Sequence, residues 1–255
     1  MRVAKQFTTS PALLDDTGAE SRDRLPWLKG LTVLAVLGFA FGLYMGLVYA
    51  GTDITQGDVQ RIFYIHVAAF SGASVAFFGT VVGGIAYLRT RKPKWDTLAL
   101  AGVEVGFALS LITLITGMFW ARPIWNTWWT WDPRLTSAAI MSLTYAAYLM
   151  LRNGIENTER RRKFASVYGI LAITTVIFTF AVIRIRPDTI HPTVIGPSPA
   201  NAEGSFEMAA NMGAALGINS FIWCCLITPT LMWWRIRVEN TLEKAKRLRI
   251  RLLES

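Results

Sequence analysis

The sequence predicts an all-α integral membrane protein with six transmembrane helices. Three observations predict this class: only 17% of the 255 residues are charged, the mean hydropathy is +0.37, and the apolar residues come in long blocks. A soluble domain carries charge on about a quarter of its residues. A helix that spans a bilayer needs about 20 apolar residues, and six stretches qualify, near 27–50, 62–88, 96–118, 135–151, 164–183 and 208–234.

The basic residues predict the orientation of these helices. All but five of the 26 lysines and arginines lie in four segments that six spans place on one side, namely the arm through Lys29, the loops 89–94 and 152–163, and the tail 235–255. By the positive-inside rule, that side is cytoplasmic. We therefore expect a cytoplasmic N-terminal arm over 1–25, a membrane domain over 26–234 and a basic cytoplasmic tail over 235–255.

The sequence argues against a cleaved signal peptide, a nucleic-acid partner and a redox cysteine pair. The first 26 residues lack the apolar core and cleavage site of a signal peptide, so we expect the first span to be retained. The net charge of +9 is accounted for by the positive-inside distribution, so no nucleic-acid partner is expected. Cys224 and Cys225 are adjacent, which is not the spacing of a redox pair. We expect both to act as small, buried, apolar side chains.

A tryptophan-rich segment over 119–136 occupies the second of the three predicted outer loops, which are roughly 51–61, 119–134 and 184–207. Five tryptophans occur within twelve residues: Trp120, Trp125, Trp128, Trp129 and Trp131. An interfacial aromatic belt explains one or two of them. A short helix over 125–132, lying along the membrane surface, would place Trp125, Trp128 and Trp129 on one face with Asp132. Such an indole shelf suits a flat, apolar, polarisable ligand.

Asp132 has a second interpretation. Asp-Pro before an apolar run is a typical helix start, with Asp132 as the N-cap residue and Pro133 at the first helical position. Capping is therefore the expected main role of Asp132.

The chain contains two histidines, and both are predicted at the outer surface. His66 lies one or two turns inside the second span, and His191 lies in the third outer loop, which is rich in proline and glycine. Paired imidazoles ligate haem iron axially. A zinc site needs a third or fourth ligand, which an outer carboxylate such as Asp53, Asp58, Asp132, Asp188 or Glu203 could supply.

The five remaining basic residues are all arginines at predicted outer helix ends or loops: Arg61, Arg122, Arg134, Arg184 and Arg186. Guanidinium matches carboxylate geometry, so these residues are candidates for the two haem propionates. Anchoring to lipid phosphate is the alternative for each of them.

Residues 125–137, WNTWWTWDPRLTS, resemble the WWD signature of haem-handling membrane proteins, and the match is best to the CcmC family of system I cytochrome c maturation. Segments 61–67, 111–117 and 123–125 also fit, so the resemblance covers nearly the whole chain. The larger relatives of system II carry extra histidines. Two features depart from the family pattern: Asn126 stands where glycine is usual, and the N-terminal arm is long.

The resemblance implies a specific function and specific partners. His66 and His191 would be the axial ligands of haem b, and the tryptophans would hold the porphyrin. The haem would pass to the chaperone CcmE, with the ABC-type CcmA–CcmB pair and the small CcmD as further partners, in a bacterial cytoplasmic (inner) membrane. No enzymatic turnover is implied, although a lyase-like role in attaching haem to the chaperone stays open.

The residues leave two other functions open. A membrane cytochrome b places histidine pairs on facing helices, whereas here one histidine is in a loop. A haem-transporting subunit of an ABC-type complex would need a partner, because the chain lacks an ATP-binding loop. Glu104, predicted deep in the third span, is either a functional carboxylate or a hydrogen-bonded link to a neighbouring helix.

Overall fold

The computed structural model describes residues 25–186, 188–194, 202 and 208–254. Over these residues the chain forms six continuous helical rods and no β-strand beyond an isolated bridge. The helices are α1 (Leu25–Tyr44, extended by a π turn, Met45–Tyr49), α2 (Ile62–Thr90, after a 3-10 turn, Asp58–Arg61), α3 (Pro93–Trp125), α4 (Pro133–Gly154), α5 (Thr158–Ile185), α6 (Ala210–Ile222) and α7 (Thr228–Glu254). A π turn, Trp223–Ile227, joins α6 and α7 into one rod.

Five of the six rods are long and apolar enough to cross a membrane: Pro26–Tyr49, Asp58–Thr90, Pro93–Trp125, Thr158–Ile185 and Ala210–Leu253. The all-helical prediction is confirmed over the described residues. The remaining rod, α4, is more polar, because it carries an arginine near each end and serines that face its neighbours. The predicted N-terminal arm and most of the Pro- and Gly-rich part of the third loop (Pro187, Gly196, Pro197, Pro199 and Gly204) lie outside the described residues.

The centre of the bundle is the pair α2 and α3, which pack through small residues. A Cβ on Gly102 would lie 2.5 Å from the Ala76 carbonyl oxygen, and one on Gly106 would lie 2.5 Å from the Phe77 ring. A Cβ on Gly83 would lie 2.7 Å from backbone atoms of α3. Helices in membranes associate closely where glycine and alanine allow the backbones to approach. α5 and α6 then pack on the other faces of α2.

Two ion-pair clusters join the helices in the predicted cytoplasmic half of the bundle. Asp96 in α3 accepts two hydrogen bonds from Arg152 in α4, at 2.6 and 2.7 Å, and Arg162 in α5 lies 3.3 Å from the same carboxylate. Asp96 and Arg152 are both buried. Arg235 in α7 donates to Glu104 at 3.0 Å and to Glu239 at 2.9 Å. Glu104 is therefore a hydrogen-bonded link to a neighbouring helix, which was one of the two predicted alternatives.

Substitution of Arg152 by Met is expected to destabilise the protein by about 3–5 kcal/mol, because it leaves the buried Asp96 carboxylate without its bidentate partner. Combining Arg152→Met with Asp96→Leu should recover part of this loss, since the buried carboxylate is gone and only the partly exposed Arg162 loses its ion pair. Thermal unfolding of the detergent-purified protein measures both. Lys163→Met breaks an exposed pair with Glu159 and should leave the midpoint nearly unchanged; equal losses for the two single variants would contradict this account.

Candidate functional site

A cavity of about 590 Å³ lies between the outer ends of α2, α3, α4, α5 and α6. This volume is within the usual range of small-molecule sites, and the walls are mainly apolar, as in such sites. The cavity brings together many residues that the sequence predicted for a site: His66, His191, Trp120, Trp125, Trp128, Trp129, Arg134 and Arg184. The predicted outer side of the membrane domain therefore contains one shared site for both histidines.

His66 lies in α2 about one turn from its outer end, and its ring is fixed by α3. Its Nδ1 is 3.2 Å from the Thr116 hydroxyl oxygen, and that hydroxyl donates to the Ile112 carbonyl at 2.7 Å. Because the hydroxyl proton is used there, the oxygen accepts from the His66 Nδ1–H, which leaves the Nε2 lone pair for a ligand. A Cβ on Gly117 would lie 3.0 Å from the His66 Cε1 atom, so glycine gives the ring its room.

His191 lies in the irregular segment 188–194 that follows α5. Its Nδ1 is 2.8 Å from the Pro192 carbonyl oxygen. A carbonyl oxygen only accepts hydrogen bonds, so the proton of the neutral ring is on Nδ1 and Nε2 is again free. Burial, together with the positive charge of Arg134 and the repulsion that a second imidazolium would meet from His66, lowers the pKa of His191 to about 3. The imidazole is therefore neutral at pH 7, as a metal ligand must be.

The tryptophan segment differs from the predicted surface helix. Residues 126–132, all of which the structure describes, contain no helix. α3 instead continues through Pro123 to Trp125 and ends at Asn126, whose φ of 54° is in the left-handed region. The prediction of a short helix over 125–132 is therefore wrong. Asparagine tolerates this conformation at a helix C-terminus almost as glycine does, so the departure from the family pattern at Asn126 is conservative.

The indoles form a set of edge-to-face contacts in place of a flat shelf. Trp120 and Trp125 are 5.0 Å apart between ring centroids at 88°, and Trp129 and Trp131 are 5.9 Å apart at 84°. Trp120 Nε1 donates to the Gln56 side chain at 2.8 Å. Trp125 also contacts the His191 ring edge-on at 6.1 Å, and its buried Nε1–H has no hydrogen-bond partner among the described residues. Trp131 is 80% exposed and lies outside the cavity wall.

Asp132 is a buried capping residue outside the cavity wall. Its carboxylate accepts from the Arg134 N–H at 2.8 Å, which confirms the predicted N-cap of α4. It also accepts from the Thr189 hydroxyl, at 2.8 and 2.9 Å, and from the Ile190 N–H at 2.8 Å. The sequence did not indicate Thr189, Thr116 or Gly117 as site residues. Only the position of Thr189 two residues before His191 could have indicated a role.

The five outer arginines divide into two groups. Arg134 and Arg184 line the cavity, and Arg134 also donates to the Thr179 carbonyl and lies 5.4 Å from the Phe70 ring. The other three bind protein groups away from the cavity wall: Arg61 the Leu47 carbonyl and Asp58, Arg122 the backbone and side chain of Asn126, and Arg186 the Asp188 carboxylate. Within the described ranges, no three His, Cys, Asp or Glu side chains form a group that could hold a metal ion.

Fold and site together define a multi-pass membrane protein with an apolar cavity that presents two neutral imidazoles. Residues 16–251 match the family model described as CcmC, heme exporter protein C, and the chain belongs to this family. The predicted resemblance is confirmed.

Three relatives illustrate the similarity. The heme exporter protein C of Rhodobacter capsulatus is 35% identical over 154 residues, which are 60% of this chain and 61% of the relative. That of Bradyrhizobium diazoefficiens is 36% identical over 162 residues, 62% of this chain and 59% of the relative. A ccmC-like mitochondrial protein of cytochrome c biosynthesis from Arabidopsis thaliana is 36% identical over 110 residues, 43% of each chain. The chain thus spans about three fifths of the length of the two bacterial relatives.

We expect the His191 imidazole to be neutral and protonated on Nδ1 at pH 5, in the protein without any ligand. Its pKa of about 3 is far below this pH, and the Pro192 carbonyl selects the tautomer. Nitrogen-15 NMR of histidine-labelled protein distinguishes the imidazolium and the two neutral tautomers, and His191→Asn assigns the signal. An imidazolium at pH 5, or a proton on Nε2, would show that the ring is not held as described.

Proposed function

We propose that the chain binds haem b at the outer face of the membrane and delivers it to the haem chaperone CcmE during the biogenesis of c-type cytochromes. The observation that carries this proposal is the pair of imidazoles, each with its proton on Nδ1 and a lone pair on Nε2, that line one apolar cavity. Two such nitrogens are a typical axial ligand set for haem iron. The names of the relatives, which refer to heme export and to cytochrome c biosynthesis, agree with this cargo.

The remaining walls of the cavity fit the other parts of haem. The porphyrin is flat and apolar, and it suits the indoles of Trp120, Trp125, Trp128 and Trp129. The propionates are carboxylates, for which the guanidinium groups of Arg134 and Arg184 are matched donors. The Nε1–H of Trp125, which has no partner among the residues that the structure describes, is a further donor at the cavity. Arg61, Arg122 and Arg186 are assigned to structural contacts instead.

The exposed edge of the site suits transfer to a partner. Trp128 and Trp131 are 49% and 80% exposed beside the cavity, and the distribution of basic residues favours an outer location for this end. A domain on the periplasmic side of a bacterial inner membrane could therefore reach the bound haem. CcmA–CcmB and CcmD are the proposed complex partners, and the chain acts as a haem-presenting subunit without enzymatic turnover of its own.

The absorption spectrum of the detergent-purified protein, oxidised and reduced, tests the two ligands. The wild type should carry low-spin haem, and His66→Ala and His191→Ala should each convert it to a high-spin form or lose it, because each removes one axial nitrogen. Trp131→Ala, outside the cavity wall, is the control and should keep the low-spin spectrum. Spectra that neither histidine substitution changes would overturn the proposal.

Replacement of Arg184 by Gln should weaken haem binding by about fivefold, the size typical of a partly exposed charge pair. Arg186→Gln is the matched control two residues away, because Arg186 binds Asp188 and does not line the cavity. Titration with haem and with its dimethyl ester, which lacks the carboxylates, separates the causes. The loss of affinity caused by Arg184→Gln should disappear with the ester. An equal loss of affinity for both ligands would show that Arg184 supports the fold and does not bind a propionate.

A further inference from the structure

We propose that Thr189 and Asp132 form a tether that positions the His191 imidazole at the cavity. Both are positioning residues, since neither lines the cavity. The tether concerns the architecture of the chain itself, and only its consequence for haem depends on the proposed function.

The hydrogen bonds of the tether run from the end of the tryptophan segment to the backbone of His191. The Asp132 carboxylate accepts from the Thr189 hydroxyl at 2.8 and 2.9 Å and from the Ile190 N–H at 2.8 Å. The Thr189 hydroxyl oxygen in turn accepts from the His191 N–H at 3.2 Å. Thr189 is fully buried and Asp132 is 7% exposed. Buried bonds to a carboxylate are stronger than those between neutral groups.

The tether matters because the segment after α5 has no regular secondary structure, although the Thr189 N–H also donates to the Arg186 carbonyl at 3.3 Å. His66 is held by the backbone hydrogen bonds of α2, whereas residues 188–194 contain no helix or strand. The His191 ring bonds to the Pro192 carbonyl, which belongs to the same loop and cannot fix the loop relative to the bundle. Asp132 is itself fixed as the N-cap of α4, through the Arg134 N–H. The tether therefore joins an irregular loop to the start of a helix.

An exposed ion pair in the same segment provides the comparison. Arg186 and Asp188 are 2.6 Å apart, and both side chains are more than half exposed. Such a surface pair contributes little to order. Substitution of Asp188 thus alters the same segment without touching the tether.

The first experiment uses the protein without haem and measures amide hydrogen exchange at His191. Thr189→Val has nearly the same shape but removes the hydroxyl, so exchange at His191 should become at least about tenfold faster. Thr189→Ser keeps the hydroxyl and should remain close to wild type, as should Asp188→Asn. An unchanged rate in Thr189→Val would overturn the tether, whatever the protein binds.

The second experiment measures the spin state of bound haem in the same variants. Thr189→Val should shift bound haem from low spin towards the high-spin form expected for His66 alone, and added imidazole should restore the low-spin spectrum. Thr189→Ser and Asp188→Asn should keep it. Faster exchange with an unchanged spin state would refute the positioning of His191. A wild type that binds no haem would instead refute the proposed function and leave the exchange result as the test of the tether.

Discussion

The backbones of α2 and α3 approach so closely that glycine is required along one face of α3. Gly102 and Gly106 meet α2 at distances that a side chain would not allow, and Gly117, three turns further along that face, leaves room for the His66 ring. The spacing of these residues repeats the helical period, so one packing surface runs from the middle of the bundle to the cavity. The position of His66 relative to Thr116 is thus a consequence of how the two central helices fit. Since α5 and α6 pack on α2 as well, the other walls of the cavity depend on the same contact.

Polar groups are concentrated at the two ends of this apolar framework, and at each end they join different helices. On the predicted cytoplasmic side, Asp96 is shared by arginines of α4 and α5, and Arg235 of α7 is bound to Glu104 of α3. On the outer side, Asp132 binds both the start of α4 and the segment after α5. Buried charges are costly unless they are paired or hydrogen-bonded. We therefore expect the main role of these groups to be the selection of neighbouring helices, with a smaller net contribution to the free energy of unfolding.

Hydropathy and charge predicted the helices well because both are local properties. The long apolar blocks lie within the observed rods, and the capping role of Asp132 followed from the adjacent Pro133. The surface helix over 125–132 was predicted from spacing alone, and it failed because α3 extends past Pro123 and ends at the left-handed Asn126. The sequence could not separate Arg134 and Arg184 from the other outer arginines. Their partners, such as the Thr179 carbonyl 45 residues away, are set by the tertiary fold. The bond between Asp132 and Thr189 joins residues 57 positions apart and was missed for the same reason.

The two imidazoles of the site differ in how firmly the fold holds them. To carry the backbone of His66 away from the cavity, α2 must unwind or shift against the glycine-lined face of α3, and both changes break the packing at the centre of the bundle. To move the His191 ring, a few hydrogen bonds between Asp132, Thr189 and the loop backbone must open. Local opening is easiest where few buried contacts and few backbone bonds are lost. We therefore expect any separation of the two imidazoles to begin at His191. The free-energy cost of that separation is set by the hydrogen bonds of Asp132, at the end of the tryptophan segment.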